Sequence, residues 1–414
     1  MRFFRDLLFA AGASVLLLIA LEGALRLAGA RYNASFFAPD PERGFALRPN
    51  AEGWELTEGE NYVRINSDGL HDREHSLARP ANVIRIAVLG SSETDAHQVP
   101  LEANFTSILE RLLNRKLAGS GKRIEVLNFA VSGYALAQEY LTLRDKVWRY
   151  DPQIVILAHS PFTMLKNTRD VYYGDTAGSP FFVYRDGRLE LESKAPPFDA
   201  RRVRLKGRIS DLMNRIRLAS MMNQAAIHLR NDLRRLTGMF HLALAAPPSS
   251  TSPALPANYG QTWPFLDPAD PPGDPRLEKT WRIGEGIIQR IQEESLQHGA
   301  EFWMVVLNYS QEVHPDPSFR LQYQKQYGLA SLSRYQGPLK ALAERHGFHS
   351  LILAPELGAF AAANHIALHG FWNTPFNEGH YNQAGHQVIG KLIAGALLES
   401  SETVRKAAAC NVTR

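Results

Sequence analysis

Cysteine is almost missing from this chain: of 414 residues only Cys410 is one, so no intramolecular disulfide can form. The lack leaves the redox compartment open, because exported proteins can also do without disulfides. A charge excess is missing too. The net charge is only +4, too small to point to nucleic acid. No pair of histidines has metal-ligand spacing on a helix, and no metal or other cofactor is expected. Gly119-Ser120-Gly121-Lys122 lacks the upstream glycine of a phosphate loop. Long apolar runs are absent except for one, Leu7–Leu21.

That run is 15 residues long and follows Arg2 and Arg5. A full membrane span takes about 20 residues, and Glu22 can snorkel to extend the stretch to Leu25. The reading is a single-pass signal anchor over residues 1–30, with the N-terminus inside and the rest outside. A cleaved signal peptide ending at Ala28-Gly29-Ala30 is the alternative, opposed by Glu22 and Arg26 between the run and that site.

Apolar content of 45% and charged content of 21% are those of a globular protein. Residues 31–80 read as an irregular lead-in with a hairpin, Gly53–Leu56 against Tyr62–Ile65. Strand and helix signals then alternate. Strands are expected at 83–89, 124–129, 153–158, 302–307 and 349–353, with helices near 104–117, 136–148, 275–298 and 384–398. Asp274 is the expected N-cap before Pro275. This alternation predicts an α/β fold, a flavodoxin-like doubly wound sheet of five parallel strands over residues 81–400. An insertion at about 170–273 interrupts it, and 401–414 is read as a tail. Within the insertion, residues 201–235 carry ten Arg/Lys on an amphipathic helical pattern, and 247–272 hold eight of the 24 prolines, a surface loop.

The chemistry-bearing residues sit at strand ends. Gly90-Ser91-Ser92-Glu93 leaves the first strand directly, where open α/β sheets place their sites. Asn128-Phe129-Ala130-Val131-Ser132-Gly133-Tyr134 leaves the second, and Asn377-Glu378-Gly379-His380 precedes the last helix. A late histidine can act as base for an early serine, because such groups assemble in space. His386 is expected to pack or cap the final helix.

These blocks, with Val63–Leu70 and Leu368-His369-Gly370-Phe371, resemble the SGNH/GDSL hydrolases, above all their membrane-anchored bacterial members. The resemblance spans roughly residues 60–398. It implies a serine esterase or acyl-transfer enzyme exported to the periplasmic face of the inner membrane. The ester substrate would be an O-acylated group such as that of a polysaccharide. Ser92 falls on the nucleophile and His380 on the base, while the main-chain N–H groups of Ser92 and Gly133 fall on the oxyanion hole. Three positions depart from the family. Ser91 replaces the aspartate before the nucleophile. Asn377 stands for the last-block aspartate, and Glu378 beside it is the preferred acid. The third block, Ala158–Met164, has no Asn, leaving His159, Ser160 or Thr163 as the third donor. A catalytically silent SGNH-like module that binds glycan or an envelope partner is the rival implied by those replacements.

Overall fold

The computed structural model describes residues 2–168, 179–192, 216–222, 225 and 275–409. The chain enters through helix α1 (Arg2–Leu27), followed by two small antiparallel hairpins. These pair β1 (Phe37–Asp40) with β2 (Gly44–Leu47), and β3 (Glu52–Glu55) with β4 (Asn61–Arg64). Five parallel strands come next: β5 (Val83–Gly90), β6 (Arg123–Asn128), β7 (Ile154–His159), β10 (Glu301–Val306) and β11 (His349–Ile352). Hairpin β8 (Phe182–Arg185)–β9 (Arg188–Leu191) lies between β7 and β10.

The sheet order is β11-β10-β7-β5-β6, with every pairing parallel. Counted along the sheet this is the 2-1-3-4-5 order of a flavodoxin-like fold, so the expected α/β class holds. Its switch point lies at β5, the strand that leads to Ser92.

The apolar run of β5 is buried on both faces, as a central parallel strand must be. Side chains alternate across a strand. Ala87 and Leu89 therefore join a core made with α4 (Leu136–Asp145), α5 (Pro275–Gln297) and α7 (Gln336–His346). Ile84, Ile86 and Val88 join a second core with α3 (Phe105–Lys116), α8 (Ala354–Asn364) and α9 (Gln383–Ser400). Asn104 caps α3 by accepting the Thr106 N–H at 3.1 Å, and Asn382 caps α9 through the N–H groups of Ala384 and Gly385. Arg85 alone breaks the apolar pattern of β5. Its guanidinium donates to Glu125 at 3.0 Å and to the carbonyls of Leu77, Ser76 and Tyr150, so the buried charge is fully partnered.

Several elements differ from expectation. The lead-in is ordered rather than irregular: Phe36, Leu47, Val63 and Ile65 pack against Val131 and Tyr134 in the loop after β6. Asn61 Nδ2 adds bonds to the carbonyls of His97 and Val99 at 2.9 and 2.8 Å. Within the segment read as a tail, residues 402–409 form helix α10 (Glu402–Ala409), whose Val404 and Ala407 join the second core. Asp274, the proline-rich loop and most of the basic helical pattern lie outside the described residues. Residues 216–222 of that pattern are described, and Arg217–Met222 is helical. Between Arg2 and α6 (Pro317–Tyr327), and on to Ala409, only α1 among the described residues is long and apolar enough to cross a membrane.

Candidate active site

Ser92 opens a single helical turn, α2 (Ser92–Asp95), directly after β5. The turn is closed by the N–H groups of Thr94 and Asp95 on the Ser91 carbonyl, at 3.0 and 2.9 Å. Gly133 follows β6 with φ +90°, a left-handed conformation that only glycine adopts cheaply. Ser132, just before it, is fastened to Asp95 Oδ2 by its main-chain N–H at 2.8 Å and its hydroxyl at 2.7 Å. The serine turn and the glycine loop are thus tied together.

Ser92, Gly133, Ser160, Asn308, His369 and His380 line one cavity of about 360 Å³ at the C-terminal edge of the sheet. Cavities of about 470 and 430 Å³ lie elsewhere, beside Trp54 and along α6, and neither contains a serine–histidine pair. No hydrogen bond joins Ser92 to His380 among the described residues; they meet as walls of the same space.

The carboxylate bound to His380 is that of Glu58, in the turn between β3 and β4. Glu58 Oε2 lies 2.9 Å from His380 Nδ1 and accepts the His380 main-chain N–H at 2.7 Å. Gly379 makes room for it. A Cβ there would lie 2.4 Å from Glu58 Oε2, and its φ of +97° suits glycine alone. Neither sequence candidate for this role reaches the ring. Glu378 is exposed, turned outward in the loop. Asn377 is buried with φ +58° and donates through Nδ2 to the Ser310 carbonyl at 2.7 Å. Glu58, not Glu378, holds the ring, because the loop places the Glu378 side chain in solvent, while the Asn377 amide is committed to the Ser310 carbonyl.

Electrostatics follow from this arrangement. Burial pushes the His380 pKa down, but the carboxyls of Glu93 and Glu58 outweigh burial and raise it to about 9. Burial raises Glu58, and its bonds to His380 more than offset that, leaving it below the usual carboxylate range. Glu93, half-buried beside Ser92, is raised by desolvation of its carboxyl; it accepts the Tyr381 N–H at 3.0 Å.

Of the three candidate third donors, only Ser160 lines the cavity. His159 and Thr163 are buried behind the strand end with their side chains 3.2 Å apart, and burial holds His159 neutral, its pKa near 3. Asn308, at the end of β10, is a polar side chain that sequence reading missed. Its Oδ1 accepts from Tyr381 Oη at 2.6 Å, and its Nδ2 lies 3.4 Å from His369 Nε2. His386 is buried on α9, stacked with Phe105 at 5.8 Å, and accepts the Phe105 N–H on Nδ1.

Compared by sequence, the chain matches no protein-family model and no curated protein. By structure it is similar to the acetyl xylan esterase AlAXEase, at 11% identity and a TM-score of 0.37, covering 76% of this chain and 100% of that one. It is also similar to a catalytic mutant of Axe2, an acetylxylan esterase from Geobacillus stearothermophilus, at 12% identity and a TM-score of 0.36, covering 76% and 93%. A third is a two-domain esterase active on acetylated mannans, at 11% identity and a TM-score of 0.36, covering 78% and 50%.

Proposed function

We propose that this chain is a membrane-tethered serine esterase or acyl-transfer enzyme of the SGNH type, with Ser92 as nucleophile and His380 as general base. The observation that carries the reading is the shared cavity: a serine on a helical turn and a histidine held by a carboxylate at 2.9 Å, both at the switch-point edge of a doubly wound sheet. Glu58 binds Nδ1, which leaves Nε2 as the atom available to the serine.

In this reading Ser92 Oγ adds to the acyl carbonyl carbon while His380 takes its proton. The oxyanion is met by the main-chain N–H groups of Ser92 and Gly133, with Ser160 or Asn308 supplying a further donor. Collapse expels the alcohol, which receives the proton from His380 and leaves an acyl-serine. Water then releases the acid, or a second alcohol takes the acyl group. Phe162 is 37% exposed at the cavity and carries the Lys166 ammonium 4.5 Å from its ring centre, a flat apolar surface on which a sugar ring can rest. An O-acylated polysaccharide fits that wall. Helix α1 supplies the tether, with Arg2 and Arg5 inside and the catalytic domain on the far side of a bacterial inner membrane.

A fluorophosphonate probe on the detergent-solubilised full chain tests this. Ser92 should take the label, and Ser92→Ala and His380→Ala should both lose it. A folded wild-type chain that takes no label would support a silent binding module instead.

A further inference from the structure

Behind the serine turn, away from the cavity, the fold gathers three residues that are scattered in sequence. His71 comes from the loop after β4, Asp95 from the last position of α2, and His97 from the segment that follows. All three side chains are almost completely buried. One ligand atom from each lies within 4.8 Å of the others. His97 Nε2 is 3.0 Å and His71 Nδ1 3.6 Å from the same oxygen, Asp95 Oδ1.

Among the described residues no hydrogen bond from outside the cluster reaches Asp95 Oδ1 or His97 Nε2. Asp95 Oδ1 and His97 Nε2 are both buried without a well-formed hydrogen bond, despite their closeness. Asp95 Oδ2, by contrast, is fully engaged, accepting the N–H and hydroxyl of Ser132 at 2.8 and 2.7 Å. One carboxylate oxygen is thus locked by neighbours while the other faces two imidazole nitrogens. Metal-ligating carboxylates are held by outer hydrogen bonds in this way. Oxygen–nitrogen separations of 3.0 and 3.6 Å bracket the edge of a tetrahedron around an ion bound at about 2.0–2.1 Å.

We propose that His71, Asp95 and His97 form a binding site for a divalent transition ion of the zinc class. Two imidazoles and one carboxylate suit that ion better than calcium or magnesium, which take oxygen. His71 Nδ1 also lies 2.6 Å from the Asp95 carbonyl oxygen. Without an ion this is an N–H···O bond. Binding the ion through Nδ1 shifts the neutral ring to its Nε2–H tautomer, and the carbonyl or a water becomes the fourth ligand. None of the three side chains lines the cavity, so the ion has a structural role. It fixes Asp95, which fixes Ser132 and hence the Gly133 loop.

The test uses the full chain in detergent, stripped with a chelator and titrated separately with Zn²⁺ and Co²⁺. Bound metal is read by elemental analysis, with melting followed in parallel. About one ion per chain should bind, with a rise in Tm and, for Co²⁺, a visible absorption band of low-coordinate geometry. His71→Ala and His97→Ala should each lose the ion, whereas His298→Ala, at an exposed histidine, should keep it. Binding of less than about a tenth of an ion by the folded wild-type chain would overturn the site. So would full occupancy in both cluster variants. If the variants do not fold, the wild-type stoichiometry and the Co²⁺ spectrum still decide.

Discussion

Both the ring and the main-chain N–H of His380 lean on one oxygen of Glu58, which makes that glutamate the most consequential side chain outside the serine–histidine pair. A carboxylate in this place orients the imidazole and stabilises the imidazolium formed when serine gives up its proton. Glu58→Gln should therefore cut kcat by about 10²–10⁴-fold, the upper value being the loss for an Asp-to-Asn change in a serine-protease triad. Glu378→Gln should stay within about twofold of wild type, because an exposed carboxylate is screened by water. Ester-hydrolysis rates of the two variants check this; the reverse order would return the role to the last block. The pH profile carries a second expectation. An imidazole with a pKa near 9 is mostly protonated at neutral pH, and its basic fraction grows as pH rises to that value and saturates above it. Free-enzyme kcat/KM should climb through pH 7–9 and level off in the alkaline range. Removing a neighbouring anion weakens the imidazolium, so Glu58→Gln and Glu93→Gln should each move the rising limb to lower pH. A limb unmoved in both would mean that neither carboxyl sets the base. At Gly379 an alanine needs φ +97° and would collide with Glu58, so Gly379→Ala should lower activity as Glu58→Gln does while the global melting transition survives. Activity and calorimetry on that variant separate the two effects.

The elements divide by how local their causes are. β5, β6, β7 and β10 were legible because each is a short apolar run buried on one or both faces, a signal written within the strand itself. The β8–β9 hairpin was missed, absorbed into the insertion, although its turn carried a readable signal. Asp186-Gly187 at its turn has φ +49° and +76°, the left-handed pair that an Asp-Gly hairpin turn requires. Glu58 had no such signal. It is 322 positions from His380, and its contact exists only because the β3–β4 hairpin packs on the loop before the last helix. The three ligand candidates His71, Asp95 and His97 were hidden for the same reason. Long-range placement also joins α1 to the insertion. Glu22 accepts the N–H groups of Arg217 and Leu218 at 3.1 and 3.0 Å, and Arg217 Nη1 donates to the carbonyls of Leu25 and Arg26. Each helix end thus satisfies the orphan groups of the other. Arg217→Ala should leave those carbonyls short of a donor and speed hydrogen exchange at Ala28–Ala30. A cap of about 0.3–1 kcal/mol makes that roughly a two- to fivefold effect. Exchange identical to wild type in the detergent-solubilised chain would remove the mutual cap.

At the scale of the whole molecule, the N-terminal helix and the hairpins that follow it stand in different relations to the α/β domain. Helix α1 buries none of its side chains, and the hairpins that follow pack directly onto the loops after β6 and α2. Helix α1 is therefore separable from the cavity, whereas the lead-in is not, since it delivers Glu58 and covers Val131 and Tyr134 beside Gly133. Two truncations express the difference. A chain starting at residue 31 should be released from the membrane and keep fluorophosphonate labelling of Ser92. A chain starting at residue 81 keeps all five sheet strands, Ser92, Gly133 and His380, but loses Glu58 and His71 and uncovers an apolar surface. It should lose labelling and melt at lower temperature. Full-length Glu58→Gln separates the causes, because it removes the carboxylate and leaves the packing. Weak labelling with an unchanged melt in that variant would assign the loss to His380 orientation. If the chain from residue 81 labelled as fast as the full chain, the base would work without any residue of the lead-in, and Glu58 would have no part in the chemistry.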